Sequence, residues 1–269
     1  MDLKFEKYVF RYINLGYVEA IQKYGKRKLR LQEFEEGDIN MLFSKDPLKE
    51  ENKTFAEGLD FYKLVWIFFI GSILGVLVET IWCFLTLHRI ESRSGLIYGP
   101  FNLVYGFGSM AITLSLYWLR KKDSIYVFIG GFLVGGIFEY ICSWIQEVIF
   151  GTVSWEYSGI LLNIQGRTNL FYCVFWGILS VIWIKVVYPG MSTIIEKIPY
   201  KKGTVITWVI ILFMTFNSSI SAMAVFRGTE RHSGLPPSNS IERFLDKHYP
   251  DEKLKKVYPN MIYVQNEAK

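Results

Sequence analysis

Cysteine and histidine are scarce: three of each in 269 residues. Cys83, Cys142 and Cys173 sit in apolar runs without CxxC spacing, so neither a disulfide framework nor a zinc site is indicated, and they read as small buried hydrophobes. His88, His232 and His248 show no metal-ligand spacing, and no metal or cofactor is expected. A GxxxxGK(S/T) phosphate loop is missing, so ATP hydrolysis would have to come from a separate subunit. No nucleophile motif is present, no catalytic residue is assigned, and the balance is against an enzyme. The N-terminus lacks a continuous apolar core followed by a small-residue cleavage site, so no signal peptide is indicated and the first span is expected to do the targeting.

What the chain has in quantity is apolar sequence. Hydrophobic residues make up 51% and charged residues 20%, with a mean hydropathy of +0.22. The charges crowd into residues 1–63, three short joints and the tail from Arg227 onward, which is a membrane pattern and not one large soluble core. The formal charge of +5 does not point to nucleic acid, because Lys and Arg flank apolar runs instead of forming one basic stripe.

A hydrocarbon core of about 30 Å needs about 20 helical residues. Five segments meet that length: Leu64–Leu87, Pro100–Leu119, Ile125–Phe150, Asn169–Tyr188 and Thr204–Phe226. Pro100 suits a first helical turn, where its missing N–H is harmless. Lys45, Lys49, Lys53 and Lys63 precede the first span, Arg120, Lys121 and Lys122 follow the second, and Lys197, Lys201 and Lys202 follow the fourth. The positive-inside rule therefore places the N-terminus in the cytoplasm of a multi-pass cell-membrane protein, and five spans place the C-terminal tail outside. Phe10, Ile13, Tyr17, Ile21 and Tyr24 form an apolar stripe at helical spacing, for a segment on the inner leaflet or a small cytoplasmic helical domain. In the tail, Ser240 and Asp251 are candidate caps of two short helices.

The expected fold class is thus an all-α membrane protein with about five transmembrane helices. Its units are an N-terminal cytoplasmic helical segment (1–63), a first hairpin (64–119), a second hairpin (125–190), a fifth helix (204–226) and a folded C-terminal tail (227–269).

The two hairpins read as parallel repeats. Gly71, Gly75 and Glu79 return as Gly131, Gly135 and Glu139, both GxxxGxxxE; Gly99, Asn102, Leu103 and Tyr105 return as Gly166, Asn169, Leu170 and Tyr172, both GxxNLxY. Glycines at four-residue spacing allow close helix packing, and each glutamate lies one turn further along the same face. An ionised carboxylate there is expensive, about 2.5–3.5 kcal/mol on insertion scales, so it needs a partner, water or a proton. Arg93 and Arg167 in the joints are candidate partners. Structural pairing, a substrate or proton path, and catalysis stay open, as does simple interhelical bonding for Asn102 and Asn169. Trp155 and Tyr157 in the second joint suit the headgroup belt, Glu147 is placed to pair with Arg167, and Lys185 reads as a snorkelling lysine.

These residues resemble the ABC-transporter (type IV) permease family of bacterial membrane proteins. The likeness rests on Gly95, Tyr98, Gly99 and Pro100 with Tyr105 and Gly106, on Trp155, Tyr157 and Ser158, and on Asn163, Gly166 and Arg167 followed by Trp176 and Gly177. It covers about residues 64–190, with Leu245 to Pro250 and Tyr258 to Asn260 similar to the family's ending; Glu156 stands where the pattern has Asp. The resemblance implies transport, in which Glu79, Glu139, Asn102, Asn169, Arg93 and Arg167 would line a polar path, with an ATPase subunit or a second copy as partner. Two other readings remain: an enzyme acting on lipid or peptide at the outer face, and a membrane scaffold or sensor.

Overall fold

The computed structural model describes residues 54–264. The stripe from Phe10 to Tyr24 and the lysines at 45, 49 and 53 lie outside the described residues. Helix α1 (Phe61–Leu87) starts at the N-cap Asp60, whose side chain accepts from the Lys63 N–H, and stops at His88 in the left-handed region. Helix α2 (Leu103–Leu116) runs into a 3-10 turn at Tyr117–Leu119. Helix α3 (Ser124–Phe150) ends at Gly151, φ +61°. Helix α4 (Leu170–Ile182) passes through a π-helical turn, Trp183–Val187, into α5 (Tyr188–Glu196). The turn precedes Pro189, which cannot donate to a carbonyl one turn back. Helix α6 (Tyr200–His232) is followed by α7 (Ser240–His248) and α8 (Asp251–Val257).

Among the described residues four helices are long and apolar enough to cross a membrane: Phe61–Leu87, Ser124–Phe150, Leu170–Glu196 and Tyr200–His232. Large apolar side chains cover their outer surfaces, among them Ile81 and Leu85 on α1, Leu133 and Ile137 on α3, and Leu212 and Phe216 on α6. A water-facing surface would not tolerate a patch of that extent. This is a membrane protein.

The second expected span is shorter, Leu103–Leu119. Pro100 is not in its first turn but two residues ahead of the N-cap, Asn102. Gly99, at φ +78°, turns the chain before Pro100, and the helix begins only where the Asn102 side chain accepts from the Val104 N–H. Residues 95–102 instead fold into the bundle as an irregular segment. The Asn102 N–H reaches the Ser72 carbonyl, near the middle of α1, at 3.2 Å. The Gly95 and Leu96 N–H groups donate to the Phe101 carbonyl at 2.8 and 3.1 Å. Asn217 and Ser221 of α6 serve the Ile97 and Tyr98 backbone. Non-helical backbone at this depth is stable only when protein replaces water as its partner, and here it does.

Each hairpin closes on its glycines. A Cβ at Gly71 would fall 2.0 Å from the Ser109 Oγ, and one at Gly75 would meet the Tyr105 ring at 2.1 Å. In the second hairpin a Cβ at Gly131 would lie 2.2 Å from the Ser180 Oγ, and one at Gly135 would lie 2.3 Å from the Trp176 side chain. The hairpins are joined by Ile112, Leu116, Val127 and Ile184 in one apolar cluster, and by Trp183, whose Nε1 donates to the Thr113 Oγ1 at 2.8 Å. At the far end from the long joints, Lys63 is fully buried against Glu196, 2.6 Å away. Lys185 donates to the Arg120 and Lys122 carbonyls after α2, so its ammonium serves a helix end.

Helices α7 and α8 fold back on the end of α6. The cap of α7 is Asn239, one residue ahead of the expected Ser240. The tail also adds a strand: Ile262–Tyr263 pairs antiparallel with Thr152–Val153 of the second joint. That joint holds a second two-residue ladder, Asn163–Ile164 with Thr168–Asn169.

Candidate functional site

Both glutamates sit on the joint-facing halves of α1 and α3, and both receive residues from the joints. Around Glu79 the first joint, 88–102, brings Arg93, whose NH1 lies 3.7 Å from the carboxylate. Tyr105 of α2 donates its hydroxyl to Glu79. Arg93 is placed by several contacts: its NH2 donates to the Cys83 Sγ at 2.9 Å and to Glu91 at 3.3 Å, and its carbonyl accepts from Asn102 Nδ2 at 3.2 Å. Asn102 thus caps α2 and fixes the arginine with one side chain.

Glu139 is only 6% exposed and is held differently. The Tyr157 hydroxyl donates to Oε1 at 3.0 Å and the Thr168 hydroxyl to Oε2 at 2.8 Å. Arg167 pairs with Glu147 at 2.7 Å and reaches Ser143 at 3.5 Å, two turns and one turn beyond Glu139. Among the described residues Glu139 has no cationic partner. Asn169 caps α4 by accepting from the Tyr172 N–H at 3.0 Å, while its buried Nδ2 has no partner.

Tyr157 joins the two clusters. It turns inward from the headgroup belt expected for it, and its ring stacks on Tyr172 at 4.7 Å. Burial first, then the negative charge of Glu139, pushes its phenol far above the ordinary range, and Glu79 adds to the shift. Of the two carboxylates only Glu139 bonds that hydroxyl; Glu79 is bonded by Tyr105 instead. Trp155 is likewise engaged, donating Nε1 to the Arg167 carbonyl at 2.8 Å. Glu156 faces solvent and closes a turn on the Ser158 N–H at 2.8 Å; hydrogen bonds from Ser158 hold its carboxyl below the usual range. That contact, two residues along the chain, is one an Asp also makes, so the substitution keeps the turn.

The expected residues thus fall into two clusters: Glu79 with Arg93 and Asn102, and Glu139 with Tyr157. Arg167 goes to Glu147, and Asn169 to its own helix end. Sequence reasoning missed Thr168, Cys83 and Ser143. It passed over Tyr105 as a site residue although Tyr105 closes the first GxxNLxY.

The family model described as Putative ABC-transporter type IV matches residues 66–222, more than half of the chain. The chain belongs to that family. The match extends past the second hairpin and through most of α6, so it includes both joints, both glutamates, and Asn217 and Ser221. Residues α7 and α8 contribute lie beyond it, so the family region is the membrane body and not the tail. No curated protein matches the chain, and no solved structure does.

Proposed function

We propose that the chain is a permease-like membrane subunit of a transport assembly, with a polar path between two duplicated hairpins. The observation that carries this reading is that each hairpin holds a glutamate at the end where both joints fold inward, Glu79 met by Arg93 and Tyr105 and the buried Glu139 by Tyr157 and Thr168. Intramembrane ionisable groups are retained at such cost mainly where something polar must pass or bind. Family membership gives the reading its transport class. The duplication is supported by the matched contacts of Gly71 and Gly75 with Ser109 and Tyr105, and of Gly131 and Gly135 with Ser180 and Trp176.

In this reading Arg93, Asn102, Arg167 and Asn169 position the joints along the path. The cell membrane is the location, with residues 1–63 cytoplasmic and the tail, 227–269, extracytoplasmic. ATP hydrolysis belongs to a separate subunit, and so few spans favour that partner or a second copy of this chain.

The path is tested by cysteine accessibility, which needs no knowledge of the substrate. With Cys83, Cys142 and Cys173 replaced by Ala, single cysteines at Tyr105, Thr168, Leu133 and Ile137 are exposed to a membrane-impermeant methanethiosulfonate cation in whole cells. The path predicts modification at Tyr105 and Thr168 and protection at the lipid-facing Leu133 and Ile137. Equal protection at all four would refute it. In the same whole cells Ser158→Cys should be labelled, whereas Lys121→Cys should be labelled only after the membrane is permeabilised.

A further inference from the structure

The two glutamates differ in what their partners are able to do. Arg93 is a donor only, always charged, and with the Tyr105 hydroxyl it fixes Glu79 as an ion-paired carboxylate. The Trp176 indole N–H also donates to Glu139, but its other two partners, Tyr157 and Thr168, are hydroxyls, and a hydroxyl donates or accepts by rotating about its C–O bond. Tyr157 and Thr168 therefore satisfy an ionised Glu139 by both donating to it, and a neutral one when the hydroxyl facing the protonated oxygen accepts its O–H and the other still donates. On the far side of Thr168 stands the Cys173 Sγ at 3.7 Å, which takes the threonine proton in one arrangement and gives its own in the other.

The surrounding groups supply no competing charge. Cys142 on α3, Tyr172 and Cys173 on α4, Tyr157 on the joint, and Tyr105 across the hairpin boundary are the titratable neighbours of Glu139, and none is a cation. Glu79 shares the Tyr157 neighbourhood and is already paired with Arg93. Arg167, the guanidinium of the same joint, is committed to Glu147. A carboxylate 6% exposed without a cation gains far more from a proton than one beside an arginine does.

We infer that Glu139 is a proton-binding site of this membrane protein, while Glu79 is the fixed ion-pair anchor of the opposite hairpin. A proton from joint-side water adds to one oxygen of the Glu139 carboxylate, the hydroxyl facing that oxygen turns to accept the new O–H, and the other goes on donating to the carbonyl oxygen; release runs the same steps backward. The proton would couple to transport only if the path reading holds, but the site stands on its own geometry.

The experiment uses the full-length protein in liposomes. Infrared difference spectra between acid and alkaline buffers are recorded for the wild type, Glu139→Gln and Glu79→Gln. In parallel, dicyclohexylcarbodiimide, which reacts with protonated carboxyls in apolar surroundings, is applied across the same pH range and its adduct mapped by mass spectrometry. The expected result is a protonated-carboxyl band kept in Glu79→Gln and lost in Glu139→Gln, with an adduct on Glu139 that declines as pH rises. Glu139→Asp keeps an acid, so where the Gln variant does not fold its band should shift instead of vanishing. A band that survives in Glu139→Gln, a wild type without the band, or an adduct confined to Glu79 would overturn the inference. A band that behaves as expected while Tyr105→Cys and Thr168→Cys stay unlabelled would remove the path and leave the proton site.

Discussion

The Asn217 side chain grips Tyr98 by its backbone, accepting the N–H at 3.1 Å and donating to the carbonyl at 2.6 Å. Asn217 is fully buried midway along α6, and its amide is shaped to replace a peptide group. It thereby lets the irregular segment 95–102 lie against apolar helices. Asn217→Leu would leave both Tyr98 groups without partners, at about 1–3 kcal/mol for each buried group stranded. The expected outcome is a lower thermal midpoint in detergent. Asn217→Asp should lie between, because the carboxylate still accepts the N–H but cannot donate. Equal midpoints for Asn217→Leu and wild type would show that the segment does not depend on this contact.

The hairpin glycines are required by space, not by backbone conformation. Gly71→Ala and Gly131→Ala each drive a methyl into a serine hydroxyl, 2.0 and 2.2 Å away at the unrelaxed positions, and overpacking of this kind costs about 1–3 kcal/mol. Adding Ser109→Gly to Gly71→Ala should return part of the loss. Recovery should stay incomplete, since the Tyr105 carbonyl also stands 3.3 Å from the new Cβ. Gly190→Ala, with nothing within 4 Å, is the control and should leave the midpoint unchanged. The midpoints of the four variants decide it.

These glycines also mark what was legible in the sequence. GxxxGxxxE at 71–79 and 131–139 located both the packing faces and the buried carboxylates, because close helix contact demands small residues at that spacing. The motif GxxNLxY marked the starts of two spans, where Asn102 and Asn169 are N-caps and not the interhelical bonds expected of them, but it did not give the contact register. Gly75 packs on Tyr105, whereas Gly135 packs on Trp176 and not on Tyr172, one turn earlier. The register follows a second pattern, Tyr105, Gly106, Ser109 against Trp176, Gly177, Ser180, which is visible in the sequence but hidden by an aromatic exchange. Helix α4 therefore carries an extra turn before its contact, and Asn102 and Asn169 are not at equal heights. Hydropathy counted residues 100–102 into a span although Gly99 and Pro100 break it there. Nothing local could reveal that Asn217, 119 positions from Tyr98, supplies the missing backbone partner. Nor could spacing choose between Glu139 and Glu147 for Arg167, since both lie on one face.

The tail should be held by charge in a defined pH window. Asp246 accepts from Arg227 Nε at 2.9 Å and NH2 at 3.0 Å, and from Arg231 NH1 at 2.6 Å. The Arg227 hydrogen bonds hold its carboxyl below the ordinary aspartate pKa, with Arg231 adding to the effect. Glu242 is lowered too, first by the Ser238 backbone N–H. A depressed carboxyl contributes its stability above the unfolded value, about 4 for Asp and Glu, and loses it as pH falls through the folded one. Docking of α7 and α8 on α6 should therefore be constant from neutral pH down to mild acid and weaken below about pH 4. Hydrogen exchange across residues 240–257 reads this directly. Asp246→Asn should shift protection downward at neutral pH and flatten its acid dependence; an unchanged acid profile would contradict the assignment.

Arg93 and Glu79 should be coupled in a way that a single substitution misreports. Arg93→Met removes the only cation paired with Glu79 among the described residues, leaving a part-buried carboxylate with the Tyr105 hydroxyl alone. Breaking a fully buried pair costs about 3–5 kcal/mol. Here the pair is 3.7 Å apart and Glu79 keeps 32% of its side-chain surface exposed, so about 1–2 kcal/mol is expected after solvent screening. Glu79→Gln alone should cost less, because the guanidinium retains Cys83 and Glu91. The double variant should be more stable than Arg93→Met, since the stranded charge is then gone. Strictly additive losses in the four-member cycle would mean the two groups do not interact, and the first joint would owe its position to Asn102 and Asn217 instead.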